Sequence, residues 1–152
     1  MLAYSFYESD NRIMRYADAL QERGDSVDVI ALKSENMPTC ERLNSVNVYR
    51  IQKRIINEKA KAAYLCKLLV FLLRSTVFLT RKHMKHRYDL IHVHSVPDFE
   101  VFAALIPKLQ GTKIILDIHD IVPEFYASKF AGGKGSFFFK ALVKVEQLSI
   151  KF

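Results

Sequence analysis

Hydrophobic and polar positions along this chain follow two different periods. Five short stretches are apolar runs or alternate between apolar and polar residues, as β-strands do. These stretches lie at residues 1–6, 26–32, 46–51, 88–94 and 112–119. The last two are largely continuous apolar runs, which is typical of strands covered on both faces of a sheet.

Other stretches repeat their apolar residues at helical spacing, and they lie at residues 8–24, 57–86, 95–111 and 136–152. Ser9 or Asp10 can cap the first of these helices. Ser95 and Asp98 fit a capping box at the start of the third, and Pro107 should kink or shorten it. The alternation of strands and helices predicts a single α/β domain with a doubly wound, Rossmann-like parallel sheet.

Three polar clusters follow predicted strands of this sheet. In doubly wound sheets, ligands bind beyond the carboxyl ends of the strands, near the point where strand order reverses. Residues 5–10 follow the first strand, His94 and Ser95 end the fourth, and His119 and Asp120 end the fifth. We therefore expect Asp10, His94 and Ser95 to line a binding cleft together with His119.

The stretch LDIHDIVPEFY, residues 116–126, delivers an imidazole and carboxylates directly after an apolar run. A histidine titrates near neutrality, so His119 could transfer a proton or stabilise a developing negative charge. Asp120 or Glu124 could fix its tautomer. Alternatively, His119 donates to a loop carbonyl, and Asp120 or Glu124 caps a turn around Pro123.

His92 and His94 form an H-x-H pair whose spacing puts both side chains on one face of a strand. A metal site is possible in principle, but no third ligand is evident nearby in the sequence. We therefore predict hydrogen-bonded histidines and no metal.

The glycine-rich fingerprints that bind phosphates are missing from the sequence. Neither G-x-G-x-x-G nor the Walker A motif occurs, which argues against a self-contained dinucleotide or nucleoside-triphosphate site and against a bound cofactor. Arg12, in the first turn of the first helix, could still face an anionic group at the ligand edge. Surface charge is the alternative role for this side chain.

The composition suits one domain of ordinary size, with 152 residues and a formal net charge of +7. A basic surplus suits nucleic acid, anionic lipid or a phosphorylated substrate. Nucleic acid is disfavoured because no aromatic stacking platform accompanies the basic residues at 81–87. Cys40 and Cys66 have no C-x-x-C spacing, which predicts a reducing, cytoplasmic compartment.

The predicted helix at 57–86 is unusually apolar. Nearly every residue from 64 to 79 is hydrophobic, yet Lys67, Arg74 and Arg81 recur every seven residues. One interpretation is a helix that lies on an anionic membrane surface through residues 60–87. The other is burial between the sheet and a further domain or subunit.

Three stretches carry a resemblance to a known family. SDNRIMRYADALQERGDSVDVIAL (9–32), YDLIHVHSVPDFEVFAALIPKLQGTKIILDIHDIVPE (88–124) and KALVKVEQLSIKF (140–152) resemble the amino-terminal domain of family 4 glycosyltransferases of the GT-B type. The middle stretch contains an H-x-H strand and an H-D-x-x-P-E turn. The chain departs from many relatives in lacking a glycine pair after its first strand.

The resemblance implies one half of a GT-B fold, with residues 1–152 as the amino-terminal, acceptor-side domain. The carboxy-terminal domain, which binds the nucleotide sugar through an E-x7-E motif, would be absent and would be supplied by further chain or a second subunit. The family transfers sugars with retention of configuration and generally needs no metal. The resemblance puts His119 beside the transferred sugar, and Asp120 and Glu124 in the supporting turn.

We therefore expect the acceptor-binding half of a retaining, nucleotide-sugar-dependent glycosyltransferase that builds surface polysaccharide. It would be inactive alone and would take a sugar or lipid-linked acceptor at the inner face of the cytoplasmic membrane. The alternative is a non-catalytic, Rossmann-like module that docks on a membrane or a partner protein.

Overall fold

The computed structural model describes residues 1–54, 61–95, 97–118 and 137–152. These residues form a six-stranded sheet in the order β3-β4-β2-β1-β5-β6. The strands are β1 (Leu2–Phe6), β2 (Asp28–Lys33), β3 (Cys40–Leu43), β4 (Val46–Lys53), β5 (Leu90–His94) and β6 (Lys113–Asp117).

All pairings in this sheet are parallel except that of β3 with β4. The parallel strands therefore read β4-β2-β1-β5-β6, which is the Rossmann order 3-2-1-4-5. Strand order reverses between β1 and β5. The predicted doubly wound, Rossmann-like fold is confirmed.

Helices cover both faces of the sheet, as a doubly wound fold requires. On one face, Ile13 and Ala17 of the first helix pack with Val29 and other small apolar side chains. On the other, Phe71 of the long second helix packs with Leu32 and its neighbours. The helices are α1 (Asn11–Glu22), α2 (Lys61–Lys85), α3 (Leu105–Leu109) and α4 (Phe137–Lys151), with 3-10 helices at Tyr7–Ser9 and Asp98–Ala104.

Strand β3 differs from the sequence prediction, which has no strand between 26–32 and 46–51. It pairs with β4 as an antiparallel hairpin at the edge of the sheet. The turn consists of Asn44 and Ser45, whose φ angles are 45° and 69°. Two successive left-handed residues are the requirement of a tight type I′ hairpin turn. The usual glycine is missing from this turn, so its sequence signal is weak.

The structure also differs from the prediction of one helix at 95–111. Asp98–Ala104 is a 3-10 helix whose N-cap, Pro97, makes no side-chain cap hydrogen bond, so the predicted Ser95–Asp98 capping box is wrong. Pro107 has no backbone N–H to donate to the preceding turn. Accordingly α3 is only five residues long. The α-helix around Pro107 is therefore shorter than the stretch predicted from the sequence.

A buried arginine ties the hairpin to the turn after β1. The Arg50 guanidinium donates from Nε to Glu8 at 2.9 Å and from Nη2 to Glu41 at 2.9 Å. Its Nη1 donates to the Pro38 carbonyl oxygen at 3.0 Å, and Nη2 also donates to Glu8. Burial alone would lower the pKa of Arg50, but the hydrogen bonds and charges of Glu8 and Glu41 raise it.

We expect Arg50→Met to lower the free energy of unfolding by about 2–3 kcal/mol, because two carboxylates and a carbonyl lose their common donor. The loss stays moderate because the Glu8 and Glu41 side chains are 29% and 35% exposed and can hydrate. Urea unfolding of the purified chain measures the change. The matched control is Arg42→Met on exposed β3, expected within about 0.5 kcal/mol of the unsubstituted chain. Equal effects of the two substitutions would contradict the assigned role of Arg50.

Candidate functional site

The turn after β1 presents Asp10 and Arg12 at the carboxyl edge of the sheet, beside the point where strand order reverses. Asp10 is the N-cap of α1, and its carboxylate accepts from the backbone N–H of Arg12 and from Arg12 Nε, both at 3.3 Å. Partial burial would raise the pKa of Asp10, but the hydrogen bond and charge of Arg12 outweigh it and lower the pKa. The Asp10 carboxylate is thus hydrogen-bonded at the N-terminus of α1, while the Arg12 side chain is 46% exposed.

A histidine–aspartate cluster lies where β5 and β6 end. The parallel register sets His94 opposite Asp117, and His92 shares their face two residues earlier. Asp117 Oδ2 is 3.3 Å from His94 Nδ1 and 3.6 Å from His92 Nε2. The carboxylate can therefore orient both imidazoles.

The three side chains also have the donor types of a divalent-metal site. One ligand atom from each of His92, His94 and Asp117 lies within 4.8 Å of the others. Two imidazoles and one carboxylate are ligands that zinc accepts. No third metal ligand is evident near His92 and His94 in the sequence, but the pairing of β5 with β6 brings Asp117 beside them.

Tyr16 of α1 covers the histidine pair. Its ring centroid lies 5.2 Å from that of His92 and 5.8 Å from that of His94, and the two imidazole centroids are 4.1 Å apart. His94 is 2% exposed, so it lies beneath the surface of the edge. The His94 side chain therefore packs behind the carboxyl edge and is not part of its exposed surface.

Two acidic side chains are buried after β5. The Ser95 backbone N–H donates to the Asp117 carbonyl at 2.9 Å and so extends the sheet by one bond. Burial raises the pKa of Asp98, and the nearby Ser95 side chain partly offsets the shift. Glu100 is fully buried, and neither of its carboxyl oxygens has a hydrogen-bond partner among the described residues. Burial raises the pKa of Glu100 to about 8, so it is mostly neutral at pH 7.

Residues 10–148 match the sequence profile of Glycosyltransferase Family 4. The chain belongs to this family. No curated protein matches it. This family 4 domain is also similar in structure to sucrose-phosphate synthase from Thermosynechococcus elongatus, with a TM-score of 0.64 and 16% sequence identity.

That similarity covers 99% of this chain and 40% of the synthase chain. A second, shorter chain of the same synthase gives a TM-score of 0.54 at 16% identity, covering 99% of this chain and 97% of that one. At such identity the likeness concerns the fold. The family 4 domain therefore has the architecture of one half of a GT-B glycosyltransferase and spans less than half the length of the longer synthase chain.

The predicted residues fall into three groups in this family 4 domain. Asp10 and Arg12 lie together after β1, and His94 and Ser95 lie together, largely buried, at the carboxyl end of β5. His119, Asp120 and Glu124 lie outside the described residues, and their roles stay predictions.

Three side chains at or near this edge have no obvious signal in the sequence. In the sequence, Asp117 looks like an ordinary strand residue. Tyr16 and Glu100 look like ordinary helix residues. Only the pairing of β5 with β6 would have identified Asp117, because it sets that residue opposite His94.

We expect Glu100→Gln to stabilise the family 4 domain increasingly as the pH rises. The folded-state pKa of Glu100, about 8, exceeds its ordinary value of 4.5, so between these values only the folded state keeps the proton. Stability then falls with rising pH by up to about 1.4 kcal/mol per unit across this window and levels off above it. Urea unfolding at several pH values measures this slope, which the neutral amide removes. Parallel profiles for the two proteins would show that Glu100 does not titrate in this window.

Proposed function

We propose that this family 4 domain is the acceptor-side half of a retaining, nucleotide-sugar-dependent glycosyltransferase that builds surface polysaccharide. The observation that carries the proposal is the reversal of strand order between β1 and β5, with Arg12 exposed on one side of it and the His94–Asp117 cluster on the other. Folds of this class bind ligands at such a point. Family membership supplies the reaction class.

The donor nucleotide sugar belongs to a second domain or subunit in this proposal. The turn after β1 has no glycine that would let a backbone approach a diphosphate closely. Arg12 is the basic side chain of this turn, and its guanidinium also pairs with Asp10. We therefore assign residues 1–152 to a sugar or lipid-linked acceptor, and expect no transfer by this domain alone.

His119 is the proposed catalytic group, since it follows the end of β6 by two residues. Asp117, the last residue of β6, is fixed beside His94 and His92. The cluster would thus position the start of the segment that carries His119. In the proposal His119 contacts the transferred sugar, and Asp120 and Glu124 shape the turn that holds it.

A second candidate function is a non-catalytic module that docks on a membrane or a protein. The exposed apolar face of α2 favours it. If this domain is joined to a donor domain with an E-x7-E motif, sugar transfer by the joined protein would favour the enzyme over the docking module.

We expect His119→Ala to lower kcat by roughly 10²–10⁴-fold in the complete two-domain enzyme, as loss of a positioned acid–base group does. The assay follows transfer of radiolabelled sugar from the nucleotide donor. The control is His86→Ala, which removes an exposed imidazole after α2 and should leave kcat unchanged. Undiminished transfer by the His119 variant would remove this residue from the mechanism.

We expect transfer by the complete enzyme to persist after dialysis against EDTA, because the proposal assigns His92, His94 and Asp117 a positioning role without a metal. The same transfer assay measures the activity that remains. Activity that is lost on dialysis and returns with Zn²⁺, but that Zn²⁺ does not restore in Asp117→Asn, would instead assign a metal to this cluster.

A further inference from the structure

The side of α2 that faces away from the sheet is apolar along most of its length. We call it the outer face of α2, formed by Leu65, Leu69, Val70, Leu73, Val77 and Met84. The exposed fraction of these side chains ranges from 42% for Val70 and Val77 to 66% for Leu73. From Leu65 to Met84 the face is roughly 28 Å long at the helical rise. A contiguous apolar surface of this kind usually marks an interaction site.

The opposite side of α2 holds the helix flat against the sheet. Phe71, Ser75 and His83 are at most 1% exposed. Gln52 of β4 donates from Nε2 to the Lys67 carbonyl at 2.9 Å, and Lys82 Nζ donates to the Tyr49 hydroxyl. The outer face therefore cannot turn inward while the domain stays folded.

By length and composition Ala63–Lys85 could cross a membrane, and it is the one helix among the described residues that could. A spanning position would require Ser75 and His83 to leave their buried places against the sheet. The packing instead favours a helix that lies along a membrane surface.

A row of basic residues borders the outer face on one side. Seven residues make almost two turns, so Lys67, Arg74 and Arg81 form a line that Lys85 continues. Residues 61–85 contain no aspartate or glutamate, and Arg74 Nη1 donates to the Ile51 carbonyl at 3.2 Å. An apolar face flanked by cations is complementary to a bilayer whose headgroups are anionic.

The direction of this face also separates it from the proposed acceptor cleft. In the proposed two-lobed enzyme, the second lobe would close across the carboxyl edge of the parallel strands, whereas the outer face points away from the sheet plane along the length of α2. A lobe that completes the cleft would leave the outer face uncovered.

We propose that the outer face of α2 docks on an anionic phospholipid bilayer, with the helix axis parallel to the membrane plane. The apolar side chains enter the boundary between headgroups and acyl chains, and the basic row contacts the headgroups. This docking follows from α2 alone. Its use, to bring the carboxyl edge of the sheet to a lipid-linked acceptor, rests on the proposed function.

Co-sedimentation with vesicles tests the proposal. We expect the purified chain to bind vesicles of 70% phosphatidylcholine and 30% phosphatidylglycerol at least tenfold more tightly than pure phosphatidylcholine, and less tightly as salt rises. Leu69→Gln/Leu73→Gln/Val77→Gln should weaken binding to the anionic vesicles by at least tenfold. Arg81→Gln/Lys85→Gln should weaken it by roughly fivefold per removed charge.

The matched control is Ile115→Gln, because Ile115 is 45% exposed and lies on the other face of the sheet. It should bind vesicles as the unsubstituted chain does. Glutamine keeps a good helix propensity, and thermal unfolding by circular dichroism checks that each α2 variant is folded.

Three results would overturn the proposal. The first is equal or negligible binding to both vesicle types, and the second is unchanged binding by the folded triple variant. The third is a lipid-free dimer that this variant converts to a monomer, without an effect on vesicle binding, since the outer face would then contact a second copy. Sedimentation equilibrium measures the dimer. None of these assays involves sugar transfer, so their failure would leave the proposed function standing.

Discussion

The position of β5 between β1 and β6 is the constraint on which the rest of this structure depends. Its pairing with β1 creates the reversal of strand order, and its pairing with β6 sets His94 opposite Asp117. A slip of one residue in the β5–β6 register would turn every β6 side chain to the other face. Asp117 would then enter the hydrophobic cluster around Val93, where an unpaired carboxylate is strongly unfavourable. The burial of the apolar side chains of β6 therefore fixes both the β5–β6 register and the geometry of the site.

Polar groups buried near the carboxyl edge give it a defined shape. Arg50 joins the turn after β1 to the hairpin through Glu8 and Glu41, and its three-way contact leaves that turn little freedom. Behind β5, Glu100 is kept largely neutral by burial. Buried polar groups of this kind often specify one arrangement at the expense of stability. Such rigidity would suit the proposed acceptor edge.

Much of the fold could be predicted from the pattern of the sequence, because apolar runs and helical repeats alternate clearly. The burial of β4 alternates along its length as expected of a strand, and Asp10 caps α1 as its residue type suggests. The hairpin strand β3 could not be predicted, since Asn44 and Ser45 adopt left-handed φ angles without a glycine. The predicted capping box at Ser95 was wrong because the motif does not exclude a helix that begins after Pro97 with 3-10 geometry.

The candidate site was only partly predictable for a different reason. His94 and Ser95 could be identified because they end an apolar run, but the cover that Tyr16 of α1 gives to His94 comes from another element and could not be predicted. Asp117 becomes part of the site only through pairing between strands that are distant in sequence. Similarly, the heptad spacing of basic residues in α2 was visible, but which side of the helix faces the sheet was not.

We propose above all that the carboxyl edge at the β1–β5 reversal is the acceptor side of a two-lobed cleft. A structure of the complete enzyme with its nucleotide bound tests this most directly. We expect that the nucleotide contacts the second lobe, and that this lobe faces Arg12 and the ends of β5 and β6. A nucleotide held by residues 1–152 alone, or a second lobe seated on the outer face of α2, would contradict it.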